Sequence, residues 1–220
     1  MSALVSVVMP VFNTASFVAE AIKSVLSQEA ALDIELIVVD DGSTDGSAEV
    51  VMRFGGVRLL RHDQNRGIGA ARNTGVRAAT GEFLAFLDAD DVWPQASLSA
   101  RLAVLDAESE CDAVAGGVVQ FGAGRPDSQQ ESGFLAGNVL IRRAAFDRIG
   151  EFDETLRVGE FIDWYARAID GGLRFKQIDT LALRRRIHAS NTMLGIGKEP
   201  LDYTRVLRQA LARRRAGAGE

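Results

Sequence analysis

Apolar and polar positions along the first half of this chain switch between two periods, and the switching predicts strands alternating with helices. Leu4 to Met9 is a short, mostly β-branched run closed by Pro10, as expected of a buried strand. From Ala15 to Gln28 the residues Phe17, Val18, Ala21, Ile22, Val25 and Leu26 recur at helical spacing. Ile34 to Val39 is apolar throughout and too short for a helix, which predicts a parallel strand covered on both faces. A helix is expected from Asp45 to Phe54, with Ser43 or Thr44 as its cap. Val57 to Arg61 reads as the third strand, Gly67 to Ala79 as the third helix and Glu82 to Leu87 as the fourth strand.

After Trp93-Pro94 the pattern predicts a helix from Gln95 to Glu108 and a strand from Ala113 to Phe121. Gly122 to Ser132 is polar and glycine-rich, and is expected to be a long mobile loop of the kind that carries function. The remainder is less regular: a strand near Val139, a short helix from Arg143 to Arg148 and a helix from Gly159 to Ile169. Strand–helix repetition with short connections predicts an α/β fold, a mostly parallel twisted sheet with helices on both faces.

Composition changes little in this picture. The chain has 220 residues, 47% apolar and 25% charged, which suits one globular domain and excludes disorder, collagen-like repeats and a disulfide scaffold. The single cysteine, Cys111, cannot form an internal bridge. No apolar stretch approaches the ~18 residues of a membrane span. No positive charge precedes the apolar N-terminus, so no signal peptide is expected. A cytoplasmic protein is the expectation.

Charge changes more. The net charge is −5, but from Arg184 onward nine Lys/Arg face three acids, while the first 183 residues carry 16 basic and 27 acidic groups. A basic tail on an acidic body can meet anionic lipid, nucleic acid or the body itself. A solvated arginine-rich helix face is the plainer expectation. Peripheral contact with the inner face of a membrane is left open, and no nucleic acid is expected.

Ligands of a doubly wound sheet sit at the carboxyl ends of its strands, and there the polar residues gather. Pro10, Phe12 and Asn13 follow the first strand, and Asp40 to Ser43 follow the second. Asn65, Arg66 and Gly67 follow the third strand, and Asp88, Asp90 and Asp91 the fourth. Period two places Asp88 and Asp90 on one side, where they repel unless a cation lies between them. A hard divalent metal that also bridges phosphate oxygens meets that need; an acidic turn capping the next helix is the plainer reading. At Asp41 a carboxylate can accept hydrogen bonds from a ribose or a base edge. Asn65 through Asn73 resembles a glycine-rich phosphate cradle with Arg72 as a candidate phosphate partner. It does not follow the first strand and lacks the third glycine of the dinucleotide fingerprint, so close helix–sheet packing explains it equally.

Together, Ser6 to Asn13, Asp40-Asp41-Gly42-Ser43-Thr44-Asp45, Gly67 through Gly75 and Gly81 through Asp91 resemble a family 2 glycosyltransferase of the GT-A fold. The match is dense over residues 4 to 94 and looser to about residue 190. The resemblance implies one domain over residues 1–200, with a donor half to about 94 and an acceptor half beyond it, then a basic helix or tail at 201–220. It implies inverting transfer of a sugar from a UDP- or dTDP-linked donor to an acceptor hydroxyl, with Mn²⁺ or Mg²⁺. The acceptor could be a polysaccharide, a lipid-linked sugar, a natural product or a polypeptide.

Residue by residue, the resemblance puts Pro10, Val11, Phe12 and Asn13 along the nucleotide, with Phe12 near the base. Asp41 would hold the base, Asn65 would join the donor site and Arg72 would lie near the diphosphate. Asp88 and Ala89 would face the ribose, with Asp88 also at the metal, and Asp90 would be the principal metal ligand. Gly137 to Leu140 resembles the strand under the acceptor, Phe152-Asp153-Glu154 the approach to the catalytic acid, and Arg186-Ile187-His188 the element whose histidine reaches the metal or diphosphate. Many relatives carry Glu-Asp before the acceptor helix, whereas this chain reads Gly159-Glu160-Phe161-Ile162-Asp163. Glu160 is therefore the candidate general base and Asp163 the reserve, although carboxylates are stabilising at any helix N-terminus. Three other readings remain: a nucleotide-sugar-binding module that lost catalysis with Phe161, a metal-dependent nucleotidyltransferase, and an aspartyl phosphatase using the strand-end acids.

Overall fold

The computed structural model describes residues 4–28, 32–122, 124, 126–188, 204–206, 208 and 212–213. Its central strand is β1 (Leu4–Val11), which is apolar on both faces: Val5, Val7, Met9 and Val11 enter one core layer and Val8 another. On one side β1 pairs in parallel with β2 (Asp33–Asp40), which pairs in parallel with β3 (Val57–Arg61). On the other side it pairs in parallel with β4 (Phe83–Phe86). The sheet continues through β6 (Val139–Arg142), β5 (Ala113–Phe121) and β7 (Phe175–Arg186), giving the order β3-β2-β1-β4-β6-β5-β7. Only β6 runs against its neighbours.

Helices cover both faces, as the apolar pattern requires. α1 (Val18–Leu26) and α4 (Ser97–Ala107) bury Ile22, Val25, Leu98 and Leu105 in the layer with Val7 and Met9. α3 (Ile68–Ala78), α5 (Arg143–Ile149) and α6 (Glu160–Asp170) share the opposite face, where Val76, Phe146 and Trp164 pack with Val8, Leu84 and Phe86. A Cβ on Gly75 would lie 2.3 Å from Val8 Cγ1. That close approach of α3 to β1 gives Gly75 a helix–sheet packing role.

Three local expectations are corrected. α2 (Ser47–Val51) is shorter than the span from Asp45 to Phe54, and neither Ser43 nor Thr44 caps it. The residue before it is Gly46, in the left-handed region at φ 87°, while Ser43 Oγ accepts from Asn13 N at 3.0 Å. The described residues of the 122–132 loop are fastened rather than free. Val118 and Glu131 exchange backbone bonds of 2.9 and 2.8 Å, Asp127 pairs with Arg184 at 2.8 Å, and Gln130 Nε2 donates to Asp179 O at 2.6 Å.

The third correction is β7, where the pattern predicted no element. Arg184, Arg185 and Arg186 end this strand and so are not part of a solvated helix face. Further along, Arg205 pairs with Asp153 at 3.7 Å, and Arg213 with Asp163 and Asp170 at 3.4 and 3.5 Å. These basic residues meet the acidic body. Lys198, Arg214, Arg215 and the expected boundary near residue 200 lie outside the described residues. No helix among the described residues is long and apolar enough to cross a membrane.

Candidate active site

The chain lays β2 and β3 on one side of β1 and β4 on the other, so a crevice opens at the carboxyl ends where the order reverses. β1 outruns β4: their last pair is Val8 with Phe86, and Leu87 N still donates to Val8 O at 3.1 Å. Val11 O turns instead toward β2 and accepts Asp41 N at 2.8 Å. By alternation the nitrogen of Pro10 faces the β4 side beyond the last pair, where its missing N–H costs no ladder bond.

At this rim Pro10 and Val11 are buried and Phe12 is 45% exposed. Asn13 is left-handed at φ 51°, a conformation asparagine tolerates. Its Oδ1 accepts Thr44 N at 2.9 Å. Asp45 accepts Ala15 N and Ser47 N, each at 3.0 Å. Burial opposes its charge, but the Ser47 hydroxyl and these two N–H groups outweigh burial and lower its pKa. The segment after β1 is thus tied to the segment after β2.

Asp41 is buried and accepts three donors: His62 Nδ1 at 2.6 Å, Arg66 N at 2.9 Å and Gly67 N at 2.8 Å. His62 Nε2 lies 2.9 Å from Thr74 Oγ1. Two of the donors are held by Oδ1 and one by Oδ2, which leaves Oδ2 acceptor capacity. Gly42 has φ 77°, and a Cβ there would lie 2.7 Å from the carbonyl carbon of Gln64. Only glycine lets the 64–67 loop lie so close. Asn65 on that loop is exposed.

After β4, Ala89 is buried while the Asp88 side chain is 38% exposed. Arg72, expected near a diphosphate, is buried and forms two ion pairs, with Asp88 Oδ1 at 2.6 Å and with Glu160. Burial works against its charge, but the two carboxylates outweigh burial and raise its pKa. Its guanidinium also lies over Phe86 and Phe152, 5.9 Å from each ring centre. Asp90 Oδ2 lies 3.0 Å from His188 Nε2. Burial, then Asp88, pushes the Asp90 pKa up, and burial with both neighbours pushes Asp91 higher still.

Glu160 opens α6 after left-handed Gly159. The next side chain, Phe161, is buried in the core, 6.1 Å ring to ring from Trp164. Phe161 is therefore a core residue. Asp163 is turned to Arg167 at 2.9 Å and Arg213 at 3.4 Å. It lines a recess of about 470 Å³ with Glu151, Asp153, Arg167 and Arg213. Glu160, not Asp163, shares Arg72 with the strand-end acid.

The family model described as Glycosyl transferase family 2 matches residues 6–165. The chain belongs to glycosyl transferase family 2. Among curated proteins it is 33% identical over 206 residues to the succinoglycan biosynthesis protein ExoU of Rhizobium meliloti, covering 79% of this chain and 59% of that one. It is 38% identical over 104 residues to WfgD of Escherichia coli, named a UDP-Glc:alpha-D-GlcNAc-diphosphoundecaprenol beta-1,3-glucosyltransferase, covering 46% and 41%. The chain spans less than two thirds of the length of these relatives. In structure it is similar to S. aureus TarS 1–349 in complex with UDP-GlcNAc. The TM-score is 0.81 at 23% identity, over 97% of this chain and 66% of that one. It is also similar to the mannosyltransferase PcManGT of Pyrobaculum calidifontis in complex with GDP-Man and Mn²⁺, with a TM-score of 0.69 at 21% identity, over 99% and 64%. The expected GT-A fold is the fold observed.

A family 2 site raises the question of a metal, and the acids bear on it. Two carboxylates, Asp90 and Asp91, are pushed toward protonation by burial and by neighbouring acids, an excess of negative charge that a cation relieves. Among the described residues no three His, Cys, Asp or Glu side chains form a complete metal-holding group. Asp90 and His188, with Asp88 beside them, fit the partial donor set of an ion that takes its other ligands from phosphates and water. Sequence reasoning missed His62 here, and it named Asp45 and Arg186 only within motifs, without the contacts they make. Those contacts run to partners distant in sequence: His62 to Asp41, Asp45 to Ala15 and Arg186 to Asp90 and Asp91.

Proposed function

We propose that this chain transfers a sugar from a nucleotide-diphosphate donor to an acceptor hydroxyl, with inversion and with a divalent metal. The observation that carries the reading is the buried Arg72 bridge from Asp88 in the donor half to Glu160 in the acceptor half. It joins the proposed donor-side acid and the proposed base on one guanidinium. A nucleotide donor is supported by the UDP-sugar in the name of WfgD and by the UDP-GlcNAc and GDP-Man of the two structural neighbours.

In this reading Pro10, Val11, Phe12, Asn13 and Asn65 line the nucleoside, and the spare acceptor capacity of Asp41 takes an N–H of the base. Asp88, Ala89 and Asp90 face the ribose and diphosphate, and Asp90 and His188 hold Mn²⁺ or Mg²⁺ with Asp88 alongside. Such a cation, when bound, neutralises the charge that develops on the departing nucleoside diphosphate. Arg72 stays charged and holds Glu160 in place, so that its carboxylate can take the proton of the attacking hydroxyl. A base on the side opposite the leaving group inverts the anomeric carbon. Asp163, engaged by two arginines, stabilises α6.

The test is a donor panel. UDP-, dTDP- and GDP-linked sugars are incubated with the protein and Mn²⁺, and the products are identified. Release of nucleoside diphosphate, lost in EDTA and in Asp90→Ala, is the expected result. With pyrophosphate added, release of sugar-1-phosphate together with nucleoside triphosphate would assign a nucleotidyltransferase instead.

A further inference from the structure

We propose that Phe17 is a positioning residue that fixes the His188 imidazole toward Asp90, so that the two side chains act as one half-site for the divalent cation. This rests on the metal-dependent reading above. His188 follows the end of β7, next to Ile187, whose N donates to Phe121 O at 2.7 Å. The Phe17 ring is stacked on the imidazole, with centroids 4.4 Å apart and planes 28° from parallel.

Phe17 is itself held by backbone at the start of α1. Its N donates to Thr14 O at 2.9 Å, and its carbonyl accepts Glu20 N at 2.9 Å. The same ring carries Arg186, whose guanidinium carbon lies 5.3 Å from the ring centre. Arg186 Nε donates to Asp90 O at 2.9 Å, and Arg186 N donates to Asp91 Oδ1 at 2.8 Å. One aromatic ring thus ties the imidazole on one hand, and the backbone of Asp90 on the other, into a single unit. Outer groups that orient a ligand are commonly worth 10–100-fold in metal affinity. A leucine at position 17 would keep the apolar contact but lose the flat face that selects the ring plane.

The experiment titrates Mn²⁺ by electron paramagnetic resonance against the full chain with saturating UDP, in wild type, Phe17→Leu and Phe17→Tyr. Calorimetry of UDP in EDTA and a thermal melt accompany each. Phe17→Leu is expected to weaken Mn²⁺ binding by about tenfold, Phe17→Tyr to restore it, and UDP affinity in EDTA to stay the same in all three. Wild-type Mn²⁺ affinity in Phe17→Leu would overturn the proposal while leaving the metal site standing. So would an equal loss of Mn²⁺ affinity and of metal-free UDP affinity, which marks general damage to the rim. If wild type itself fails to bind Mn²⁺ with UDP, the metal reading falls and the positioning role falls with it.

Discussion

Arg72 is buried against two carboxylates, Asp88 and Glu160, 16 and 88 residues away. Removing one member of such a buried set leaves uncompensated charge, at a cost of about 3–5 kcal/mol. Arg72→Met is expected to lower the unfolding free energy by that amount in urea titrations at pH 7; a loss near zero would mean that water already screens the set. The sequence showed that an arginine stood one turn into α3 near the phosphate end. It could not show that the arginine is committed to carboxylates, because ion pairing across 88 residues leaves no trace in local spacing. Asp41 was legible as a strand-end acid for the same reason that its partners were not. Alternation locates a strand's end, whereas His62 and the N–H groups of Arg66 and Gly67 reach Asp41 only once β2 and β3 lie side by side.

Elements with a two-sided apolar pattern were read closely: β5 spans Ala113–Phe121 as expected, and α5 and α6 differ by a residue at their ends. β7 escaped because it is an edge strand, paired along its length with β5 and at a single bridge, Arg184, with Val92. It is half exposed for most of its length and shifts register near Gly117, so Lys176, Asp179 and three arginines interrupt any period. Elements are also joined by charge. Glu35 on β2 accepts Ser6 Oγ at 2.7 Å, Thr80 N at 2.8 Å and Thr80 Oγ1 at 3.1 Å, pinning β1 to the start of β4. Burial opposes its ionisation, but these bonds and Arg58 outweigh burial and lower its pKa below the ordinary 4.5. A depressed carboxyl stabilises the folded state above its unfolded pKa and loses that contribution as pH falls through the folded value. Glu35→Gln is therefore expected to cost about 1 kcal/mol at pH 7, the difference between charged and neutral acceptors. Denaturant titrations should show the gap closing below pH 4.5. A gap that is the same at pH 3 and pH 7 would show that ionisation of Glu35 contributes nothing.

Across the whole molecule, the charge asymmetry that suggested a free basic tail is partly neutralised within the fold. Arg184, Arg186, Arg205 and Arg213 each pair with an acid of the body. The α/β architecture and the rim of polar residues at four strand ends followed from periodicity alone, because a doubly wound sheet has one place for polar side chains to converge. The choice between Glu160 and Asp163 did not follow. Both stand at the start of one helix, and only tertiary packing turns one toward Arg72 and the other toward Arg167 and Arg213. That choice is the centre of the account, and one comparison tests it most directly: Mn²⁺-supported release of nucleoside diphosphate from the accepted donor by wild type, Glu160→Gln and Asp163→Asn, with donor affinity measured alongside. Glu160→Gln is expected to lose roughly 10²–10⁴-fold in turnover, the worth of general-base catalysis, with donor affinity near wild type, while Asp163→Asn loses far less. Wild-type turnover in Glu160→Gln, with the loss falling on Asp163→Asn instead, would contradict it.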